Sequence, residues 1–190
     1  MRIVLLGAPG SGKGTQAAML VEELDLPHIS TGELLRAAVK AGTLLGQKAK
    51  TVIDRGELVS DDIMLGLLEE RLSEADAETG FILDGYPRNL AQAEALDELL
   101  ERLGQPVDEA LQIDVDVDMV IERIARRAAE EGRSDDTEEV VRNRMSVYEE
   151  QTAPVGEYYA RKGLLSRVLG EGTIEEVFQR IRGVLQIRAA

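Results

Sequence analysis

Two short segments hold the residue types that phosphate chemistry requires. Gly7-Ala8-Pro9-Gly10-Ser11-Gly12-Lys13-Gly14-Thr15 sets glycines around a single lysine. Backbone N–H groups of such a turn can converge on one anion, and a helix opening directly behind it adds its dipole. The lysine then reaches the transferred phosphate. Glycine is needed because a Cβ would block the approach. The second segment, Asp84-Gly85-Tyr86-Pro87-Arg88 with Gln92 four residues on, joins a carboxylate, a guanidinium and an amide. An arginine fork can hold two phosphate oxygens and stays charged. Arg36, Arg123, Arg127, Arg133 and Arg144 add further cations. Arg123 and Arg127 are spaced i, i+4, so one helical face presents both. Arg142 and Arg144 are two apart and point to different sides of a helix, so they do not share one cleft.

Each residue also has a plainer reading. The glycine-rich segment is otherwise a turn with an exposed lysine. Arg36, Arg123 and Arg127 are otherwise surface charges pairing with Glu33, Glu122 or Glu131. Gln92 can complete a cap with Asn89, and Thr31 can be a helix-start residue. His28 has no acidic or metal-ligand neighbour pattern and receives no role.

The elements that must position these groups follow from periodicity. Arg2 to Leu6 is an apolar run ended by glycine, which predicts a buried parallel strand. Residues 13–24 show helical spacing. Ser30-Thr31-Gly32-Glu33 fits a capping box that opens a helix over Leu34 to Lys40. Helices are expected over 43–55 and 61–73, a strand at Phe81 to Leu83, a helix over 90–103, a strand at 110–115 and a helix over 118–128. Glu130 to Asp136 reads as a loop. A long helix over 138–162 is kinked or divided by Pro154. A strand at 164–169 and a helix capped by Thr173 close the chain. Strands alternating with helices imply a parallel sheet covered on both faces.

The 190 residues suit one compact α/β unit, and the apolar fraction of 44% supports a core. With aromatics at 3% and no tryptophan, that core must be aliphatic. A net charge of −14 argues against a nucleic-acid binder that neutralises many phosphates. It leaves room for a local cationic cleft. The absence of cysteine removes disulfides, zinc–thiolate sites and a thiol nucleophile. No stretch reaches the roughly 18 apolar residues of a membrane span. A cytoplasmic protein is expected, with no nucleic-acid or membrane partner.

The variant Gly-x-Pro-Gly-x-Gly-Lys-Gly-Thr resembles the adenylate kinase and UMP/CMP kinase family of nucleoside monophosphate kinases. Ser30 to Arg36, Gly56-Glu57-Leu58-Val59, Asp84 to Arg88 and Gly172-Thr173 extend the likeness over nearly the whole chain. The resemblance implies a P-loop NTPase-type α/β fold: a parallel sheet flanked by helices in a single domain over 1–190. It also implies a monophosphate-binding insert over 30–59 and a short lid over 126–137. The substrates would be ATP and AMP, and the product ADP. By the same likeness, Gly10, Ser11, Gly12, Lys13, Gly14, Thr15, Arg123, Arg127 and Gly172 face ATP. Thr31, Arg36, Glu57, Leu58, Val59, Gly85, Tyr86, Pro87, Arg88, Gln92, Arg133 and Arg144 face the acceptor. Lys13, Arg88, Arg127, Arg133 and Arg144 serve the chemistry. Asp84 holds Mg2+ through water, and Asp135 and Asp136 orient lid arginines. Members with a longer lid can hold zinc through cysteines; here no zinc is expected, and a monomer is.

One departure concerns the metal. The general phosphate-loop pattern has Ser or Thr directly after the lysine, whereas Gly14 stands there and Thr15 follows. Two readings compete with an AMP-using kinase. The first is a UMP/CMP kinase; family members using pyrimidine acceptors tend to carry Ala and Asn where this chain has Thr31 and Gln92. The second is a nucleotide-dependent switch, which for GTP would need an Asn-Lys-x-Asp segment that the chain lacks.

Overall fold

A computed structural model of the chain describes residues 1–42, 46, 47, 49, 50, 52, 55, 59–131 and 137–186; of residues 117, 126, 127, 129–131 and 138 only the backbone is described. Five parallel strands form one sheet: β1 (Arg2–Leu6), β2 (His28–Ser30), β3 (Phe81–Asp84), β4 (Glu109–Asp114) and β5 (Leu165–Leu169). Their order is β2-β3-β1-β4-β5. The chain therefore steps away from β1 on both sides, through β3 one way and β4 the other. In open parallel sheets that reversal leaves a crevice at the strands' carboxyl ends, where ligands bind.

Alternation along the strands sorts the core into two layers. Val4, Leu6, Phe81 and Leu83 face one side, and Ile3, Leu5 and Ile82 face the other. Helices α1 (Lys13–Leu24) and α8 (Ile174–Val184) cover the second face with Ala17, Leu20, Phe178 and Ile181. Helices α3 (Asp61–Leu72), α4 (Leu90–Arg102) and α7 (Ala153–Arg161) cover the first with Leu68, Leu96 and Tyr159 among others. Leu20 is fully buried. Its truncation to Ala should cost about 2–5 kcal/mol, since transfer and cavity losses add.

Between these lie α2 (Thr31–Lys40), α5 (Val117–Glu131) and α6 (Glu138–Val147). A small third cluster, Ala8, Val120, Ile124 and Val141, packs the loop after β1 onto α5 and α6. No helix among the described residues is long and apolar enough to cross a membrane.

Three local readings are corrected, and the division of the helix over 138–162 at Pro154 is borne out. His28–Ser30 is a strand, too short to show a period, and α2 starts at Thr31 instead of Leu34. Glu130 and Glu131 belong to α5, not to a loop, whereas residues 132–136 lie outside the described residues. The helix expected over 138–162 is α6, a π-helical turn over Tyr148–Thr152, and α7. Pro154 falls in the first turn of α7, where its missing N–H breaks the α ladder and the wider turn absorbs the change. Of the helix expected over 43–55, residues 46, 47, 49, 50, 52 and 55 are described; the first five are helical and Arg55 lies in a turn.

Candidate active site

The loop from Gly7 to Gly12 joins β1 to α1 by taking backbone conformations that side chains resist. Gly10 has φ +78°, and a Cβ there would come within 2.7 Å of Ile124 Cγ1. Gly12 caps α1 in the left-handed region, and the first turn of α1 carries no acidic residue. The positive end of the helix dipole therefore faces the cleft uncompensated by a carboxylate of its own turn. Lys13 Nζ donates to the main-chain oxygens of Gly7 at 2.6 Å and Ala8 at 2.8 Å.

The strand ends set the opposite wall. Register places Asp84 beside Leu5, so its carboxylate leaves the sheet next to the phosphate loop. At Gly85, φ is +82° and a Cβ would meet Thr31 Oγ1 at 2.7 Å, so glycine lets β3 turn against α2. The turn brings Arg88 back, where Nε donates to the Gly85 oxygen at 2.7 Å. Arg36 lies over Gly32, with Nη1 3.2 Å from where a Cβ would stand. From the π-helical turn, the Thr152 hydroxyl donates to the Arg88 oxygen at 2.7 Å.

Together these walls enclose a cavity of about 910 Å³. Of the expected residues, Gly10 to Thr15, Arg36, Asp84 to Arg88, Arg123, Arg144 and Gly172 line it. Lys13, Arg36, Arg88, Arg123 and Arg144 supply five cationic groups against two carboxylates, Glu33 and Asp84. A chain of net charge −14 thus has a cationic cleft, which suits a polyanion. Arg142 is exposed while Arg144 reaches the cleft, as their spacing on α6 requires. Arg123 has a structural part as well: it donates to the oxygens of Ser11 at 3.2 Å and Gly170 at 2.9 Å, tying the phosphate loop to the loop after β5.

Other expected residues do not line the cavity. Thr31, Val59 and Gln92 are buried. Glu57, Leu58 and Arg133 lie outside the described residues, as do Asp135, Asp136 and the side chain of Arg127.

His28, given no role from sequence, is part of the site. Its Nε2 lies 3.7 Å from Asp84 Oδ2, too long for a hydrogen bond but close enough for charge to act. Burial alone would push the Asp84 carboxyl up; His28, Lys13 and Arg88 outweigh it and hold the group below the ordinary carboxylate range. The missing signal was β2. Once that strand is seen beside β3, Ser30 pairs with Asp84, and His28, two residues earlier in β2, shares its face of the sheet. Asp61, at the start of α3, was also passed over; its Oδ1 accepts from Gln92 Nε2 at 2.6 Å. Among the described residues, no group of His, Cys, Asp and Glu is arranged to hold a metal by protein ligands alone.

A family model described as adenylate kinase matches residues 5–164. The chain is 58% identical over 186 residues to adenylate kinase from Stenotrophomonas maltophilia (strain K279a), covering 98% of this chain and 100% of that one. It is 60% identical over 185 residues to adenylate kinase from Xanthomonas euvesicatoria pv. vesicatoria (strain 85-10), covering 97% and 99%. Against adenylate kinase from Xanthomonas campestris pv. campestris (strain 8004) the identity is 60% over 181 residues, covering 95% and 97%.

Proposed function

We propose a role for each part of the cleft from one premise: this chain belongs to the adenylate kinase family. It is an enzyme that transfers a phosphoryl group reversibly from ATP to AMP, giving two ADP. The UMP/CMP kinase alternative is not favoured by these relatives. The observation that carries the residue assignments is one cavity lined by the phosphate loop, four arginines and Asp84.

Little covalent work falls to the protein in phosphoryl transfer, so its part is alignment and charge stabilisation. The phosphate loop and Lys13 hold the ATP phosphates, and Thr15 and Gly172 border the same nucleotide. Arg36 and Arg88 grip the AMP phosphate from the opposite wall. Arg144 and, from the lid, Arg127 and Arg133 neutralise the charge between them. Thr31, Glu57, Leu58, Val59, Gly85 and Gln92 surround the acceptor base, with Tyr86 and Pro87 shaping the turn beneath it. Residues 30–59 form the acceptor insert and 126–137 the lid. Lids of this family are an established example of closure that excludes water.

Asp84 fits a role toward Mg2+. It is a hard oxygen donor kept ionised beside the phosphate loop, and Mg2+ is characteristically bound by one or two carboxylates plus substrate phosphates and water. When bound, the ion would neutralise charge on the phosphate oxygens. Asp84 would hold it through water, and no zinc is required. The enzyme would act in the cytoplasm as a monomer.

The deciding experiment is a coupled assay with ATP and each of AMP, CMP, UMP and GMP. AMP should be the acceptor turned over fastest. Comparable kcat/KM for CMP would overturn the acceptor assignment.

A further inference from the structure

Gln92 sits in the first turn of α4, 2% exposed, with its amide held at both ends. Oε1 accepts from the main-chain N–H of Arg88 at 2.7 Å, and Nε2 donates to Asp61 Oδ1 at 2.6 Å. Asn89 Nδ2 approaches the same Asp61 oxygen at 3.4 Å. An ionised carboxylate only accepts hydrogen bonds and a backbone N–H only donates them. The amide therefore has one permitted orientation. Turned over, its oxygen would face a carboxylate oxygen and its NH2 would face an N–H. A solvated glutamine reverses freely; this one would lose two bonds in a buried site, one of them charge-assisted.

We propose that Asp61 is a positioning residue that fixes the donor–acceptor sense of the Gln92 amide, and thereby selects a 6-amino purine acceptor over a 6-oxo purine. The inference rests on the reading that Gln92 meets the acceptor base. The edge of adenine presents an N6–H donor beside the N1 acceptor. Hypoxanthine and guanine reverse both, with an O6 acceptor beside an N1–H donor. An amide free to turn pairs with either edge. A locked amide offers its remaining N–H and its remaining lone pair on fixed sides and pairs with only one. The wrong base then leaves buried polar groups unmatched, the situation in which discrimination is greatest.

A plainer role for Asp61 is as an acid in the first turn of α3, favourable to the helix dipole. Asp62 occupies the next position of that turn and makes no such bond to the amide, which supplies the control.

The test measures kcat/KM for AMP and for IMP with saturating MgATP in the parent, Asp61→Asn, Asp62→Asn, Gln92→Leu and the Asp61→Asn/Gln92→Leu double variant. KM for ATP and the melting temperature are followed in each. Asp61→Asn should shift the AMP-to-IMP ratio toward IMP by on the order of tenfold, the scale of one charge-assisted hydrogen bond. KM for ATP should hold, Asp62→Asn should keep the parental ratio, and Asp61→Asn should add nothing once Gln92 is Leu. An unchanged ratio in Asp61→Asn, an equal shift in Asp62→Asn, or a shift that persists without Gln92 would overturn the proposal. A parental ratio unaffected by Gln92→Leu would instead remove Gln92 from the base site, and the role of Asp61 with it.

Discussion

Lys13 Nζ donates to the main-chain oxygen of Gly7 at 2.6 Å, so the cation of the phosphate loop rests on the loop that would present it. The carbonyls it leaves can be taken over by water, because the loop borders an open cleft. Lys13→Ala should therefore remain folded, with a melting temperature close to that of the parent. Activity should fall by at least ~10²-fold to 10³-fold, the usual loss when a charge positioned for the transition state is removed. Near-normal turnover would show that Lys13 does not serve the transferred phosphate.

Asp84 should stay ionised at a pH where ordinary aspartates, near about 3.9, are half protonated. Its folded value is lowered, so its contribution to stability is present above the unfolded value and is lost as pH falls through the lower folded one. Carboxyl ¹³C NMR titration reads this directly. His28→Gln removes one of the three side chains that hold the carboxyl down and should move the midpoint upward. A midpoint that moves down, or not at all, would contradict the contact.

Divalent cation should be required for turnover, with Mg2+ preferred over larger ions, because Asp84 offers one carboxylate and the phosphates supply the other oxygens. Activity that survives excess chelator would remove Asp84 from that role. Stoichiometric zinc in purified protein would contradict the expectation drawn from a chain without cysteine.

A bisubstrate analogue, two adenosines joined by five phosphates, should bind far more tightly than ATP or AMP alone. The loop and the arginines face one cavity, so a linked ligand makes its second binding event intramolecular. Calorimetry giving an affinity no better than that of ATP would mean that the two sites are not adjacent.

AMP should exceed CMP and UMP by at least roughly 100-fold in kcat/KM, a few kcal/mol of transition-state binding. Gln92→Ala should raise KM for AMP more than KM for ATP. Because Gln92 also bonds Arg88 N and Asp61, the same variant should lower the melting temperature.

Much of this was readable along the chain. The phosphate loop announced itself because steric demand for glycine and chemical demand for lysine coincide in nine consecutive residues, Gly7 to Thr15. The strands β1, β3 and β4 were legible because both faces are buried, which leaves nearly unbroken apolar runs. The capping box at Thr173 was legible too, since Thr173 and Glu176 bond each other's backbone locally. In contrast, β2 has three residues and gains its strand character only from pairing with β3.

What the amino-acid sequence determined by itself is therefore the local chemistry: a phosphate loop, a signature carrying Asp84 and Arg88, and a series of arginines. The loop and the signature are each fixed by residues close together in the chain. Which groups meet was decided only by tertiary structure. His28 reaches Asp84 because β2 pairs with β3 and sets His28 two residues from Asp84's partner Ser30, and Arg123 reaches Ser11 and Gly170 because α5 packs on the loop after β1. Asp61 reaches Gln92, 31 residues away, because α3 and α4 pack together on one face of the sheet. Electrostatic and hydrogen-bond partners act over a few ångströms in space, and sequence separation carries no measure of that distance.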